Sequence, residues 1–158
     1  MHPRAAEFAE RARGQYGVDV AVEEFADGTK TAADAAAAIG CEVAQIASSL
    51  AFDAGDELVV VVTSGANRVS EARLADHLGV DESAVAMADP DHIADRLGWS
   101  IGGVPPFCHD ADVTVLFDET LLDHERVWAA AGTPQAVFPM APEEMRRLAD
   151  ARAVDVTG

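Results

Sequence analysis

The sequence predicts an α+β fold, in which helices pack on a mixed sheet. Helical and strand segments alternate along the chain, and several neighbouring strand segments are separated only by short turns. Such short connections join antiparallel strands, whereas parallel strands need a long crossover. The 158 residues can bury one hydrophobic core, and no repeat or linker divides them. We therefore expect a single domain over residues 1–158.

The first half of the chain carries two helix signals and three strand signals. Pro3 suits the first turn of a helix, and alternating valines after Gly17 are typical of a strand. Thr31 is a capping residue for the following alanine run, which Gly40 ends. The elements predicted from these patterns are helices over 2–17 and 31–40 and strands over 18–25, 45–52 and 58–64.

The second half continues with the same alternation. Asp89, Pro90 and Gly98 are start and stop signals of one helix, and Ser70 and Gly79 bracket another. Helices are predicted over 69–79, 89–98 and 141–150, and strands over 84–88, 112–119 and 153–156. The stretch 126–140 is ambiguous, because its first half has a helical composition whereas "GTPQ" allows a hairpin turn.

The charge of the chain indicates its solvent rather than its partner. There are 28 acidic and 11 basic residues, the formal net charge is −17, and Lys30 is the only lysine. The acids are scattered along the chain, and concentrated salt screens such a surface. We therefore expect a salt-rich cytoplasm, as in a halophile. At moderate salt this charge would argue against a nucleic-acid partner, but here it does so only weakly.

Other classes of protein are excluded by simple patterns. The longest apolar run is "LVVVV" at 58–62, far shorter than the roughly 20 residues of a membrane span. The charged, helix-like N-terminus does not resemble a signal peptide, so we expect a cytoplasmic protein without a membrane partner. Cys41 and Cys108 are the only cysteines and do not make a disulfide framework.

The stretch "SIGGVPPFCHD" at 100–110 admits two interpretations. Cys108 and His109 suggest a metal site or a nucleophile, but adjacent side chains rarely reach one ion, and the other histidines lack ligand spacing. Gly102 and Gly103 instead permit close approach of a ligand to the backbone, which the following proline pair stiffens. We therefore predict a pocket wall that holds oxygen atoms through main-chain amides, and no metal or cofactor.

Two further segments have both a functional and a structural interpretation. "SGAN" at 64–67, with Arg68 beside it, precedes a helix and is either an anion site or an ordinary strand-to-helix turn. The turn is the stronger alternative, because one glycine is far short of a phosphate-binding fingerprint. Asp118 and Glu119 end a strand. A carboxylate there either serves in acid–base catalysis or accepts hydrogen bonds from backbone amides of the next turn. For Asp118 the two alternatives stay open.

Several segments together resemble the YbaK/prolyl-tRNA synthetase-associated domain family of aminoacyl-tRNA deacylases and editing domains. The resemblance covers about residues 25–156 in the family's order, and its most specific motif is "WSIGGVPPFCH". The other matching segments are "TKTAADAAAAIG" at 29–40, "QIASSLAF" at 45–52, "VVVVTSGANRVSEARLADHLG" at 59–79, "LFDETLLDHERVWAAAGTP" at 116–134 and "AVFPMAPEEMRRLADARAVDV" at 136–156. The resemblance implies a curled, mixed and mostly antiparallel sheet of about six to seven strands with helices around it. It also implies a hairpin over 126–140.

The resemblance also implies a function in translation fidelity. Family members hydrolyse the ester of tRNA that carries a wrong small amino acid, and the terminal 2′-hydroxyl is thought to take part. The implied partner is the aminoacylated 3′ end of tRNA, and the loop Gly102–Phe107 would limit the size of the aminoacyl group. The candidate residues are Ser48, Gly102 and Gly103 for catalysis and Lys30, Ser64, Gly65, Arg68, Val104, Pro106, Phe107, Asp118 and Gly132 for substrate binding.

Two positions depart from the family pattern. Ser48 stands where family members typically have a functional lysine, and Cys108 stands where they usually have glycine. Two hypotheses follow: a deacylase that works without that lysine, with Lys30 supplying part of the charge, or a binding protein that holds an aminoacyl or nucleotide group without cleaving it. The sequence determines neither the amino acid that is removed nor the oligomeric state.

Overall fold

The computed structural model describes residues 1–25 and 31–157. Within these residues it contains a mixed sheet of eight strands and five α-helices. The strands are β1 (Glu23–Glu24), β2 (Ile46–Ala54), β3 (Glu57–Ser64), β4 (Val85–Met87), β5 (Thr114–Asp118), β6 (Val127–Ala130), β7 (Ala136–Met140) and β8 (Arg152–Val154). The helices are α1 (Pro3–Tyr16), α2 (Ala32–Ile39), α3 (Glu71–Leu78), α4 (Pro90–Leu97) and α5 (Pro142–Leu148).

Local sequence signals set most of these boundaries. The Thr31 side chain accepts a hydrogen bond from the Asp34 amide at the start of α2, and Ser70 and Asp89 cap α3 and α4 in the same manner. Gly17, Gly40, Gly79 and Gly98 end four helices in the left-handed conformation that glycine adopts without strain. The predicted hairpin over 126–140 is confirmed by the antiparallel pair β6 and β7.

The strand predicted over 18–25 is wrong in extent. Only Glu23 and Glu24 form a strand, which pairs with β7 at the edge of the sheet. The alternating valines instead cover the core without ladder hydrogen bonds: Val18, Val20 and Val22 pack against its outer side as partly buried residues. The alternation of valines therefore indicates that one side of the segment is buried. A strand also requires hydrogen bonds to the backbone of a neighbouring strand.

The sheet has the order β1-β7-β6-β2-β3-β5-β8, and β4 pairs with β2 outside this path. The pairs β2·β3 and β6·β7 are antiparallel, as their short connections require, whereas β2·β6, β3·β5 and β5·β8 are parallel. Helices α1, α4 and α5 contribute to the main core on one face, and α2 and α3 cover the other face. None of the helices in the described ranges is long and apolar enough to cross a membrane.

Cys108 is strained at the end of the 100–110 loop. It is buried and has a positive φ of 69°, a conformation that costs about 1–2 kcal/mol for residues other than glycine. Its carbonyl accepts a hydrogen bond from the Trp99 indole at 2.9 Å, so the surrounding core holds this conformation in place. A glycine at this position would remove the strain.

We expect Cys108→Gly to be more stable than Cys108→Ala by about 1 kcal/mol, because both lose the thiol but only alanine keeps the strain. Urea unfolding midpoints of the two variants measure the difference. The matched pair Cys41→Gly and Cys41→Ala, at a cysteine without positive φ, should show the opposite order. Equal midpoints for the Cys108 pair would contradict the assignment of strain.

Candidate functional site

The candidate site lies where the sheet divides beside β2. One edge of β2 pairs with β3 along residues 47–54. The other edge pairs with β6 at Ile46 and Ala47 and with β4 at Phe52–Ala54. On this second edge, between the two ladders, residues 48–51 have no neighbouring strand in the described part of the chain. The resulting gap opens the sheet to side chains from both of its faces.

A cavity of about 270 Å³ fills this gap. Its walls come from the start of α2, the open edge of β2, the hairpin β6–β7 and the 100–110 loop, and they carry no charged side chain among the described residues. The lining residues are Thr31, Ala32, Ala35, Ile46, Ala47, Ser48, Ser49, Leu50, Ala51, Met87, Ile93, Ile101, Gly102, Val104, Trp128, Ala129, Ala130, Pro134 and Val137. The cavity is therefore small, largely apolar and open to solvent.

The 100–110 loop contributes Ile101, Gly102 and Val104 to one wall of the cavity. Gly102 lines the cavity with φ of 86°, and a Cβ there would lie 3.3 Å from Pro134. Gly103 is buried behind it, and its amide donates to the Ser100 carbonyl at 3.0 Å within the turn. The Gly103 amide is therefore engaged within the turn, and a catalytic role of Gly103 stays a prediction.

Gly103 has a packing role instead. A Cβ on Gly103 would lie 2.8 Å from Thr133 Cα and 2.9 Å from the Thr133 nitrogen. These are backbone atoms of the β6–β7 turn, so they cannot move aside as a flexible side chain does. The absent side chain lets two backbone segments touch, and this contact places the Gly102 and Pro134 wall of the cavity.

Ser48 lies on the open part of β2 and lines the cavity. It stands directly opposite Thr63 in the antiparallel ladder, so both side chains project from the same face of the sheet. The Thr63 hydroxyl in turn donates to Asp118 at 3.1 Å. A row of polar residues therefore runs across β2, β3 and β5 from the cavity to a buried carboxylate.

Asp118 is fully buried and outside the cavity wall. One carboxylate oxygen accepts from the Thr63 hydroxyl, the Ser64 amide and the Asn67 side chain, and the other accepts the Thr120 amide and hydroxyl. Burial by itself raises the pKa of Asp118, but hydrogen bonds from Asn67, Ser64 and Thr120 outweigh it, so the pKa lies below its usual value. Its lone pairs are occupied, which favours the structural alternative for Asp118.

Other predicted site residues lie behind or away from the cavity. Gly65 lets α2 approach β3, because a Cβ there would lie 2.7 Å from the Ala32 side chain that lines the cavity. Ser64 is buried, and its hydroxyl donates to the Ala44 carbonyl. Arg68 is exposed outside the wall. Lys30 lies outside the described residues, so its predicted role stays a prediction.

Three further candidates belong to the core. Phe107 packs among the aromatic rings of Phe8, Tyr16 and Phe138. Pro106 is likewise buried and does not line the cavity. Gly132 touches the start of α1, because a Cβ there would lie 2.7 Å from the Arg4 carbonyl oxygen. These residues fix the shape of the loop and the turn. Any effect that they have on substrate binding would act through that shape.

The nucleophile interpretation of Cys108 finds no support in its surroundings. Burial raises the pKa of the Cys108 thiol to about 11, so it is protonated at neutral pH, whereas a catalytic cysteine needs a thiolate. Burial also lowers the pKa of His109, whose imidazole Nε2 lies 2.8 Å from the Pro105 carbonyl oxygen. This contact fastens the ring to the loop.

Several lining residues were missed by the sequence analysis. Trp128 and Pro134 belong to the β6–β7 hairpin, and Met87 is the last residue of β4. No local motif connects these two segments to the loop. Trp128 is the only aromatic residue in the described wall and is half-buried. Ser49 was missed because strict alternation along β2 assigns it to the face opposite Ser48. The division of the sheet is what brings both serines to one cavity.

Comparisons with known proteins identify the family. A family model for the aminoacyl-tRNA editing domain matches residues 26–148. The uncharacterized protein YwhH of Bacillus subtilis (strain 168) is 29% identical over 125 residues, which are 78% of this chain and 78% of that protein. The proline–tRNA ligase of Limosilactobacillus fermentum is 35% identical over 99 residues, or 60% of this chain, but this match spans only 17% of the ligase.

A solved structure supports the same conclusion over the whole chain. The protein in question is described as a candidate trans-editing enzyme for prolyl tRNA synthetase. Its structure covers 100% of this chain and 99% of its own, with a TM-score of 0.94 and 32% sequence identity. The family model, the related sequences and this structure therefore agree, and the chain belongs to the aminoacyl-tRNA editing domain family.

Proposed function

We propose that this protein hydrolyses mischarged tRNA that carries a small amino acid, with the aminoacyl group bound in the cavity beside β2. Aminoacyl-tRNA deacylation is the activity that membership of the editing-domain family supports. The names of the similar proteins suggest tRNA for proline as the substrate to test first. The reaction belongs in the cytoplasm, where tRNA is charged.

The cavity's size and lining are the observation that carries the small-amino-acid assignment. Its volume of about 270 Å³ is close to the lower end of the roughly 300–1,000 Å³ of sites for drug-sized ligands. Alanine side chains and Gly102 form much of the wall near the open edge of β2. A small aliphatic or hydroxyl side chain fits such walls.

Hydrolysis at this site transfers the acyl group from tRNA to water. The water oxygen attacks the ester carbonyl, the bond between that carbon and the ribose oxygen breaks, and the ribose oxygen takes up a proton. The products are the free amino acid and tRNA with a free terminal ribose. Because no charged side chain lines the described wall, stabilisation of the oxyanion falls to hydroxyl and main-chain donors, and the expected rate is low.

An assay with mischarged tRNA tests the proposal. We expect alanyl-tRNA for proline to lose its acid-precipitable charge faster with the protein than without it, at several salt concentrations including multimolar KCl. Correctly charged prolyl-tRNA is the control and should stay charged. Replacement of the terminal 2′-hydroxyl by hydrogen should abolish turnover if that hydroxyl takes part. Failure to cleave any small-amino-acid ester would overturn the proposed function.

Trp128 is suited to stack with the terminal adenine. Its half-buried indole borders both the cavity and the neighbouring surface depression that Arg126 and Gln45 line. Stacking of a base on an aromatic ring contributes about 1–3 kcal/mol. This position would leave the aminoacyl group at the open edge of β2.

We expect Trp128→Ala to raise the KM for alanyl-tRNA about tenfold and to change kcat much less, because binding of the adenine is lost rather than the chemistry. Trp128→Phe should retain most of the affinity. Steady-state kinetics on the three proteins measures both constants. A variant with unchanged KM and reduced kcat would contradict the stacking role.

A further inference from the structure

The proposed function leaves open which group of the protein holds the aminoacyl moiety. We propose that the main chain of Ser49 binds it as one added strand residue. The Ser49 N–H donates to the ester carbonyl oxygen, and the Ser49 carbonyl accepts from the α-ammonium group. The inference rests on the proposed function only for the identity of the ligand.

The gap beside β2 leaves this backbone without a strand partner. The β2·β6 ladder ends at Ala47, and the β2·β4 ladder begins at Phe52. Within the described ranges, no hydrogen bond joins the Ser49 amide or carbonyl to a group on this side. An unpaired N–H and C=O at a strand edge readily accept another extended segment.

The alternation of main-chain groups shows that Ser49 points into the gap. The Ile46 carbonyl accepts from the Gly65 amide on the β3 side, whereas the Ala51 carbonyl accepts from the Ala88 amide on the opposite side. In a strand, residues two apart direct their N–H and C=O to the same edge. Ser49 therefore shares the direction of Ala51, towards the cavity that it lines.

The side chain of Ser49 adds a second observation. Its Oγ is buried and is the only such side-chain atom without a hydrogen-bond partner among the described residues. An unsatisfied buried hydroxyl is costly. The serine thus combines three unsatisfied polar groups on the wall of an otherwise largely apolar cavity, which marks it as the place where a polar ligand atom is expected.

An aminoacyl ester matches this arrangement chemically. A residue that pairs fully with an antiparallel neighbour uses its own N–H and its own C=O together. The aminoacyl group carries an ammonium donor and a carbonyl acceptor on either side of one Cα, as a strand residue does. Its side chain then projects to one face of the divided sheet, where the surrounding walls limit its size. The ester carbonyl that receives the Ser49 N–H is also the one that becomes the oxyanion.

Amide hydrogen exchange in the unmodified protein tests the inference directly. The probe is 3′-(L-alanylamino)-3′-deoxyadenosine, whose amide linkage resists hydrolysis. At saturation it should slow exchange of the Ser49 amide about tenfold or more, because a new hydrogen bond protects it. The Leu50 amide, which faces β3, is the internal control and should change less than about twofold. Unchanged exchange at Ser49 with the probe bound, or no binding of the probe, would overturn the inference.

Matched ligands and variants separate the inference from the proposed function. The propionylamino analogue lacks the α-ammonium group and should bind about tenfold more weakly, since a charge-assisted hydrogen bond is lost. Ser49→Pro removes an N–H that faces the gap and not the β3 ladder, and should lower affinity similarly. Equal affinities for the two analogues would refute the inference even if alanyl-tRNA is cleaved. Absence of cleavage with protection of Ser49 would refute only the proposed function.

Discussion

Gly103→Ala should lower kcat/KM for alanyl-tRNA by about a hundredfold, because the new Cβ forces the loop away from the β6–β7 turn. The clash is with main-chain atoms, at 2.8 Å from Thr133 Cα and 3.0 Å from the Gly132 carbonyl oxygen. Separation of these two segments displaces Gly102 and Pro134, which form one wall of the cavity. We expect a smaller effect on stability, about 1–3 kcal/mol, as for overpacking in other buried sites.

Deacylation kinetics and urea unfolding on the same preparation measure both effects. Gly14→Ala is the matched control, since a Cβ at Gly14 meets nothing within 4 Å. This helical glycine lies in α1, so alanine there should leave activity unchanged and stabilise the fold slightly. A Gly103→Ala enzyme that keeps the activity of the parent would show that the loop does not shape the site.

Ser48→Lys should raise the deacylation rate at least about tenfold, because an ammonium near the ester stabilises the charge that develops on its carbonyl oxygen. The described cavity wall contains no cationic side chain, so the effect of one added charge is not masked by another. The buried carboxylate of Asp118 lies beyond Thr63 on the same face of the sheet and favours a charged lysine.

Two controls isolate the charge from the position. Ser48→Met adds comparable length without charge and should not raise the rate. Ser49→Lys moves the ammonium by one residue to the opposite face, towards the main core, and should destabilise the fold without a gain in rate. Equal rates for Ser48→Lys and Ser48→Met would exclude an electrostatic role at this position. Activity restored by Ser48→Lys in an inactive parent would instead identify the parent as a protein that binds without cleaving.

Local signals determined most elements of the fold but not their partners. Capping residues and glycines placed the ends of α2, α3 and α4 within about two residues, because these signals act through hydrogen bonds over a few positions. The segment after Gly17 shows the limit of such signals. Its alternating valines indicated a buried side, yet only Glu23 and Glu24 pair with a strand, β7.

The candidate site was predicted only where one segment contained it. The glycine pair of the loop predicted a close approach to its backbone. The structure shows Gly102 on the cavity wall and Gly103 against the Thr133 backbone. The resemblance to the editing-domain family pointed to Ser48, which also lines the cavity. By contrast, Trp128 came from a distant hairpin with no motif of its own.

The sequence by itself therefore determined the helices, the main strands, the shape-restricted loop and the family. The tertiary structure alone decided where the sheet divides, because β6 leaves β2 after Ala47 and β4 joins it at Phe52. Hydrogen bonding between distant strands sets these two points, and no short-range pattern encodes them. The same division brings Ser48 and Ser49, on opposite faces of one strand, to a single cavity.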